Sequence, residues 1–294
     1  MNVMDVKHTW SLERCTEAAD DEHTDIAVLI ELSTHDDVDV RESIAANSAS
    51  PVHVLEVLAV DTNIDVRGSV AENESSPVSL LEVLSVDKEP EVRAHVAANL
   101  SLPHYIALEI VADTNPYVRC TLAANPTIEH AVLNGLAEDE DESVVRQVAC
   151  HFATPQTAID MLSRHDSPHV RARVAENLST SETVLRQLSG DEDSGVLAQV
   201  AAHEHTPIDI VEELATHSCA EIREGAMRNP QLNAEILERL SVHDNADVRA
   251  SVAANRRTPR SIMEKLIIDG EWLVRYFASS NPALPESLRE TIDV

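Results

Sequence analysis

The sequence predicts an all-α solenoid of eleven 26-residue repeats with no β-sheet. Three observations predict it. One aliphatic position returns at a fixed interval, apolar residues flank it at helical spacing, and helix start and stop signals recur in step with it.

Counting from Val40 in steps of 26, the chain reads Val66, Val92, Val118, Val144, Val170, Val196, Ile222, Val248 and Val274 without an insertion. The blocks therefore tile as 35–60, 61–86 and onward to 269–294. Upstream, Asp25 to Leu32 takes the place that residues 51–58 hold one block later, so a degenerate copy over 9–34 caps the N-terminus. Residues 1–294 are then expected to form a single solenoid domain. It has nine regular repeats over 35–268 and a capping repeat over 269–294 that ends on Val294, with Arg289 at a normally apolar position.

Within a block, Val40, Ile44 and Ala45 share one face of a first helix, and Val54, Leu55 and Leu58 share one face of a second. The opening position of each block is only ever Asp or His, as at His35, Asp61, Asp87, His165 and His243, which predicts an N-cap for the first helix. Where His stands, the next residue, as at Asp36, Asp166 and Asp244, is expected to take over the cap. The first helix is expected to stop at Asn47, Asn73, Asn99, Asn125, Asn177, Asn229, Asn255 and Asn281, since Asn tolerates a left-handed turn. Ser50-Pro51, Ser76-Pro77, Thr154-Pro155, Thr206-Pro207 and Thr258-Pro259 read as a capping hydroxyl before a proline that opens the second helix. Helices this short cannot cover their own apolar faces, so each layer must bury them against its neighbours.

The block at 61–87, "DTNIDVRGSVAENESSPVSLLEVLSVD", resembles the leucine-rich repeat variant family, and the resemblance extends over nearly the whole chain. That family is similar to armadillo and HEAT solenoids. The resemblance implies a right-handed superhelix of alternating α and 3₁₀ or short α helices. It also raises an iron–sulfur cluster, because a cysteine-rich N-terminal segment accompanies the repeats in one member. Only Cys15 lies in that region here, so no cofactor is expected.

Composition bounds the function. Asp and Glu number 52 against 22 Lys and Arg, a formal net charge of −30, which repels phosphate backbones and anionic membranes and argues against nucleic acid as a direct ligand. The four cysteines are far apart with no paired spacing, and no apolar run is long enough to span a bilayer, so a cytoplasmic protein is expected. The polar end at Arg289 suggests a monomer.

Arg41, Arg67, Arg93, Arg119, Arg171, Arg223, Arg249 and Arg275 each follow the repeating aliphatic residue. They are expected to fork onto carboxylates or carbonyls of an adjacent layer, near Asp61 or Asp87 for example, and so to lock the stacking register. The two blocks without this Arg carry Val145 and Leu197, and they also replace the terminal Asn with His151 and His203, which suggests that Arg and Asn share one hydrogen-bond network.

Binding residues are sought on the second helix, which lines the concave face in armadillo and HEAT proteins. There, Glu56, Glu82, Glu212, Glu238, Glu264 and Glu290 recur at one position and would form acidic tracks, while Tyr105 and Leu108 interrupt them as an aromatic and apolar anchor. The chain shows no phosphate loop, no GxSxG motif and no Cys–His pair that the repeat brings together. The expected function is a non-enzymatic protein–protein interaction scaffold whose acidic, concave face recruits another protein, basic or extended. Two other readings stand beside it: a DNA mimic that occupies a basic nucleic-acid-binding protein, and an enzyme with a composite site across repeats.

Overall fold

The structure, a computed structural model, describes residues 6–284. Among them are helices and turns but no strand. The expectations placed on Arg289, Glu290 and Val294 lie outside the described residues. By their contacts the helices fall into two compact units, residues 1–155 and 156–294.

The first unit opens with α1 (Val6–Thr9), α2 (Leu12–Asp20) and α3 (Ile26–Leu32). Pairs follow as α4 (Val38–Ala46) with α5 (Val52–Leu58), α6 (Ile64–Glu72) with α7 (Val78–Leu84), and α8 (Pro90–Ala98) with α9 (His104–Ile110). The unit closes with α10 (Pro116–Ala124), α11 (His130–Leu136) and α12 (Glu142–Cys150). The second unit holds α13 (Gln156–Leu162), α14 (Pro168–Glu176), α15 (Glu182–Leu188), α16 (Ser194–Ala202) and α17 (Ile208–Ala215). It continues with α18 (Ala220–Arg228), α19 (Ala234–Ser241), α20 (Ala246–Ala254), α21 (Arg260–Leu266) and α22 (Trp272–Ser280). From α2 to α22 every first helix starts 26 residues after the last, and the second helices are short α-helices rather than 3₁₀ turns. No helix among the described residues is long and apolar enough to cross a membrane.

The repeating aliphatic residue is the centre of each layer. Val40, Val66, Val92, Val118, Val144, Val170, Val196, Val248 and Val274 are fully buried, and Leu55, Leu81, Leu133 and Leu185 meet them from the second helices. With so few aromatic side chains, each layer is filled by the same small set of Val, Leu, Ile and Ala, and one packing solution can repeat.

The helix ends differ from the sequence expectation in three ways. First, the N-cap of the first helix is two residues later than the Asp or His that opens the block. Asp37, Asn63, Asn115 and Asp193 hold that place, and their side chains accept the N–H groups of the first turn. The opening residue instead closes the preceding turn: Asp61 Oδ1 accepts the Asn63 N–H at 2.8 Å, and His35 Nδ1 accepts the Asp37 N–H at 3.0 Å. Nδ1 of histidine and Oδ1 of aspartate are the same number of bonds from Cα, so either residue closes the turn and no cap slips to Asp36.

Second, the Ser or Thr before the proline is no cap. Its buried hydroxyl reaches back, as Ser50 Oγ does to the Ile44 carbonyl at 2.6 Å and Thr206 Oγ1 to the Val200 carbonyl at 2.5 Å, and satisfies an orphan acceptor at the C-terminus of the first helix. Third, the terminal Asn is extended, at φ −66° for Asn47 and −62° for Asn73, not left-handed. It stops the helix through its side chain. Asn73 Oδ1 accepts the Ser75 N–H at 2.8 Å, and Nδ2 donates to the Ala45 and Asn47 carbonyls of the previous layer at 2.8 and 3.0 Å.

Within each unit, successive first helices pack closely, as α4 does on α6 and α20 on α22, whereas successive second helices barely meet. The first helices therefore form the tightly packed row in each unit and the second helices the looser one.

Candidate functional site

Two ladders cross the layers, one at each end of the first helices. At the N-terminal end, Arg93 donates from Nε to Asp113 Oδ2 at 2.6 Å, from Nη2 to Oδ1 at 2.8 Å and from Nη1 to the Asp87 carbonyl at 2.8 Å. The same fork joins Arg41 to Asp61, Arg67 to Asp87, Arg119 to Asp139, Arg171 to Asp191 and Arg249 to Asp269, with Nε–Oδ2 distances of 2.6–2.8 Å. Arg275 donates to the Asp269 and Gly270 carbonyls. Burial pushes the Asp61, Asp87 and Asp113 carboxyls up. The forked guanidinium and the N–H two residues on outweigh it, holding each below the ordinary carboxylate range. At Asp191 and Asp269 the guanidinium is the largest influence, with the same net direction.

At the C-terminal end runs the Asn ladder, through Asn47, Asn73, Asn99, Asn125, Asn229, Asn255 and Asn281, each bonded to a carbonyl of the layer before. Asn177 ends α14 in the same extended conformation. His151 and His203 stand in for Asn: Nε2 reaches the Asn125 and Asn177 carbonyls at 3.1 Å, while Nδ1 accepts the Ala153 and His205 N–H groups. Arg and Asn thus occupy opposite ends of the helix with no hydrogen bond between them, so the single shared network expected from Val145 and Leu197 is not formed.

A regularity 20 residues apart emerges instead. From Arg41 to Arg249 every ladder Arg but one has Asp 20 positions on; where Cys15, Val145 or Leu197 stands, that position is His35, His165 or His217. A carboxylate without its guanidinium would be buried unpaired, and a neutral imidazole closes the same turn without that cost. One step breaks the rule. Arg223 faces His243, whose Nδ1 is already taken by the Asn245 N–H at 3.1 Å.

Arg223 has kept the backbone half of its bonds and lost the carboxylate half. Nη1 donates to the His217 and Ser218 carbonyls at 2.8 and 2.7 Å, and Nε turns to Ser251 Oγ at 3.2 Å. Nη2 lies 3.9 Å from Asp247 Oδ2, too long for a hydrogen bond. The Asn ladder is altered here as well. Asn255 bonds the Met227 carbonyl at 3.0 Å, while the Asn229 carbonyl, which an Asn would bond elsewhere, receives Arg257 Nη1 at 2.8 Å.

With both ladders changed, α18 and α20 pack less closely than α16 with α18 or α20 with α22. On the α16 side Gly225 lets the helices touch, since a Cβ there would run into the Ala198 carbonyl oxygen. Between α18 and α20 a cleft of about 1010 Å³ opens on the first-helix row. Met227, Ala250, Ala254, Leu273 and Phe277 give it an apolar wall. Arg223, Arg228, Arg256 and Arg257 line it against only two carboxylates, Glu224 and Asp247. Residues 223–275 hold nine of the chain's 22 basic residues and eight of its 52 acidic ones, so the acidic surplus lies elsewhere. Beside the cleft, α22 exposes Trp272, Tyr276 and Phe277, three of the seven aromatic side chains in the sequence, with Tyr276 packed edge-on to Phe277 at 5.5 Å.

The residues singled out as an acidic track are not free carboxylates in the second unit. Glu212 pairs with Arg239, Glu238 with Lys265, and Glu264 with Arg260 at 2.8 Å. In the first unit, Glu56 is exposed on α5, and Glu82 accepts the Tyr105 hydroxyl at 2.5 Å. Tyr105 and Leu108 are both about half exposed on α9, in the second-helix row.

These features define the class: an all-α helical-repeat protein with a charged, apolar-walled cleft at one irregular layer junction. The chain is similar to a solved leucine-rich repeat variant with a novel repetitive structural motif, at 22% identity over 78% of this chain and 80% of that one, with a TM-score of 0.46. A crystal structure of an engineered protein aligns at 18% identity over 90% and 92% of the two chains, with a TM-score of 0.29. Computationally designed armadillo repeat proteins for modular peptide recognition align at 15% identity over 86% and 97%, with a TM-score of 0.17. No family model and no curated protein matches the chain.

Proposed function

We propose that this chain is a non-enzymatic binding scaffold that recruits another protein, and that the cleft between α18 and α20 is its binding surface. One observation carries this: the single described layer junction that keeps its ladder Arg but loses the matching Asp is the junction that opens into an apolar-walled cavity. A purely structural repeat gains nothing from an arginine whose partner has been removed, because the vacancy costs packing and leaves a guanidinium underused. Exposed Phe277 and Tyr276 at the cleft edge are the residue types that concentrate binding energy in protein interfaces.

The test blocks the cleft without touching the core. Ala254 is exposed at its wall, and Ala254→Trp fills the cavity. Affinity capture with the native chain is compared with this variant and with Glu56→Lys/Glu82→Lys in the second-helix row. Loss of a captured protein in Ala254→Trp alone supports the cleft as the surface. Loss in the double Lys variant, with Ala254→Trp unaffected, would transfer the function to the acidic row.

A further inference from the structure

Resting on that assignment of the cleft, we propose that its ligand is an extended peptide segment that presents one carboxylate next to a large apolar side chain. The carboxylate is specified by the vacancy itself. In every intact ladder step a guanidinium receives an aspartate in a two-pronged fork, and at Arg223 that aspartate is His243, leaving Nη2 at the cavity with its nearest carboxylate oxygen beyond hydrogen-bond range. Arg228 and Arg256 stand at the same cavity, and Arg228 has only Glu224 at 3.9 Å. With Nε held by Ser251 Oγ, a carboxylate from outside supplies the oxygen that Nη2 lacks.

The apolar side chain follows from the opposite wall, where Leu273 and Phe277 of α22 meet the cavity. The lining residues run from Ser218 to Phe277 and so come from three successive layers. At roughly 8–10 Å per layer this is about 20 Å, the length of some six extended residues at about 3.3 Å each. A long polyanion is disfavoured, because beyond the cleft it meets the surplus of carboxylates that gives the chain its net charge of −30. A single acid flanked by uncharged residues avoids that repulsion while keeping the bond from Nη2.

The experiment is a random-peptide library displayed on phage, selected on the full chain, followed by affinity measurement on an enriched peptide and on its copy with Asn or Gln in place of the acid. Arg228→Glu/Arg256→Glu, both exposed, tests the charge without endangering the fold, and Arg223→Lys tests the Nη2 bond. Enriched peptides are expected to carry one Asp or Glu next to a Leu, Phe or Trp. Their binding should fall about tenfold or more in the amide copy and in either variant. Peptides that lack an acid yet are lost with Ala254→Trp would overturn this inference while leaving the cleft as the binding surface. Peptides insensitive to Ala254→Trp, or none at all, would overturn both.

Discussion

The pairing of Arg with Asp and of apolar residues with His, 20 positions apart, can be tested by moving one pair into the other's place. In Arg93→Val/Asp113→His a buried ladder step is rewritten to match Val145 and His165. The Arg93 and Asp113 side chains are 14% and 7% exposed, so the fork is largely out of water. Each charge-assisted bond contributes about 1.5–3 kcal/mol, and breaking a buried pair from one side costs about 3–5 kcal/mol. Asp113→His alone falls in that range, because Arg93 finds no second carboxylate: the place that Asp247 takes beside Arg223 is Tyr117 here. Arg93→Val alone leaves a buried carboxylate with only the Asn115 N–H, at about 3 kcal/mol.

The double variant removes both charges together. The introduced imidazole keeps the Asn115 N–H on its Nδ1, and the introduced valine fills an apolar slot, so the expected cost is about 1 kcal/mol and, against single changes of about 3 kcal/mol or more each, the coupling is about 5 kcal/mol or more. A single ladder step controls local opening, so the assay is native-state hydrogen exchange of α8 and α10 amides. Additive effects of the two single changes would refute the compensation argument.

Three further outcomes are expected. Burial lowers the His151 and His203 imidazoles, against the raising effect of the Asn125 and Asn177 carbonyls, and protonating Nδ1 ends its acceptance of an N–H group. A base depressed by folding stabilises above its unfolded pKa of about 6.5, and that contribution is lost as pH falls through the folded value. His151→Asn/His203→Asn should therefore lose less stability than the native chain between pH 7.5 and 5, roughly, in urea titrations, while the ladder aspartates, also depressed, fail only below about pH 3.9. Gly225→Ala should lower Tm through collision with the Ala198 carbonyl, at about 1–3 kcal/mol, whereas Gly270→Ala, which meets nothing, should leave Tm nearly unchanged. Asn99→Ala should cost about 2–4 kcal/mol by orphaning the Ala71 carbonyl and the Ser101 N–H, and Asn99→His should recover only the Ser101 share in denaturation experiments, because His151 and His203 reach the carbonyl 26 residues back and not the one 28 back.

Every first helix begins where a 26-residue step places it, because the packing that sets the period is local and each layer reports it afresh. The caps are less legible for a chemical reason. Asp61 looks like a helix cap in a one-dimensional pattern, yet its Oδ1 serves the turn before the helix and both its oxygens serve Arg41, a residue of another layer. Ser50 likewise looks like a cap and is a tether to the Ile44 carbonyl. The cleft escapes a block-by-block reading because it belongs to no block. Arg223 is an ordinary ladder arginine, and His243 is one of four ordinary turn-closing histidines; only the two together, 20 residues apart, are out of keeping. In a repeat protein, stability is written in what recurs within a block, and specificity in a broken relation between neighbouring blocks, where the cost of a missing partner has been left for something else to supply.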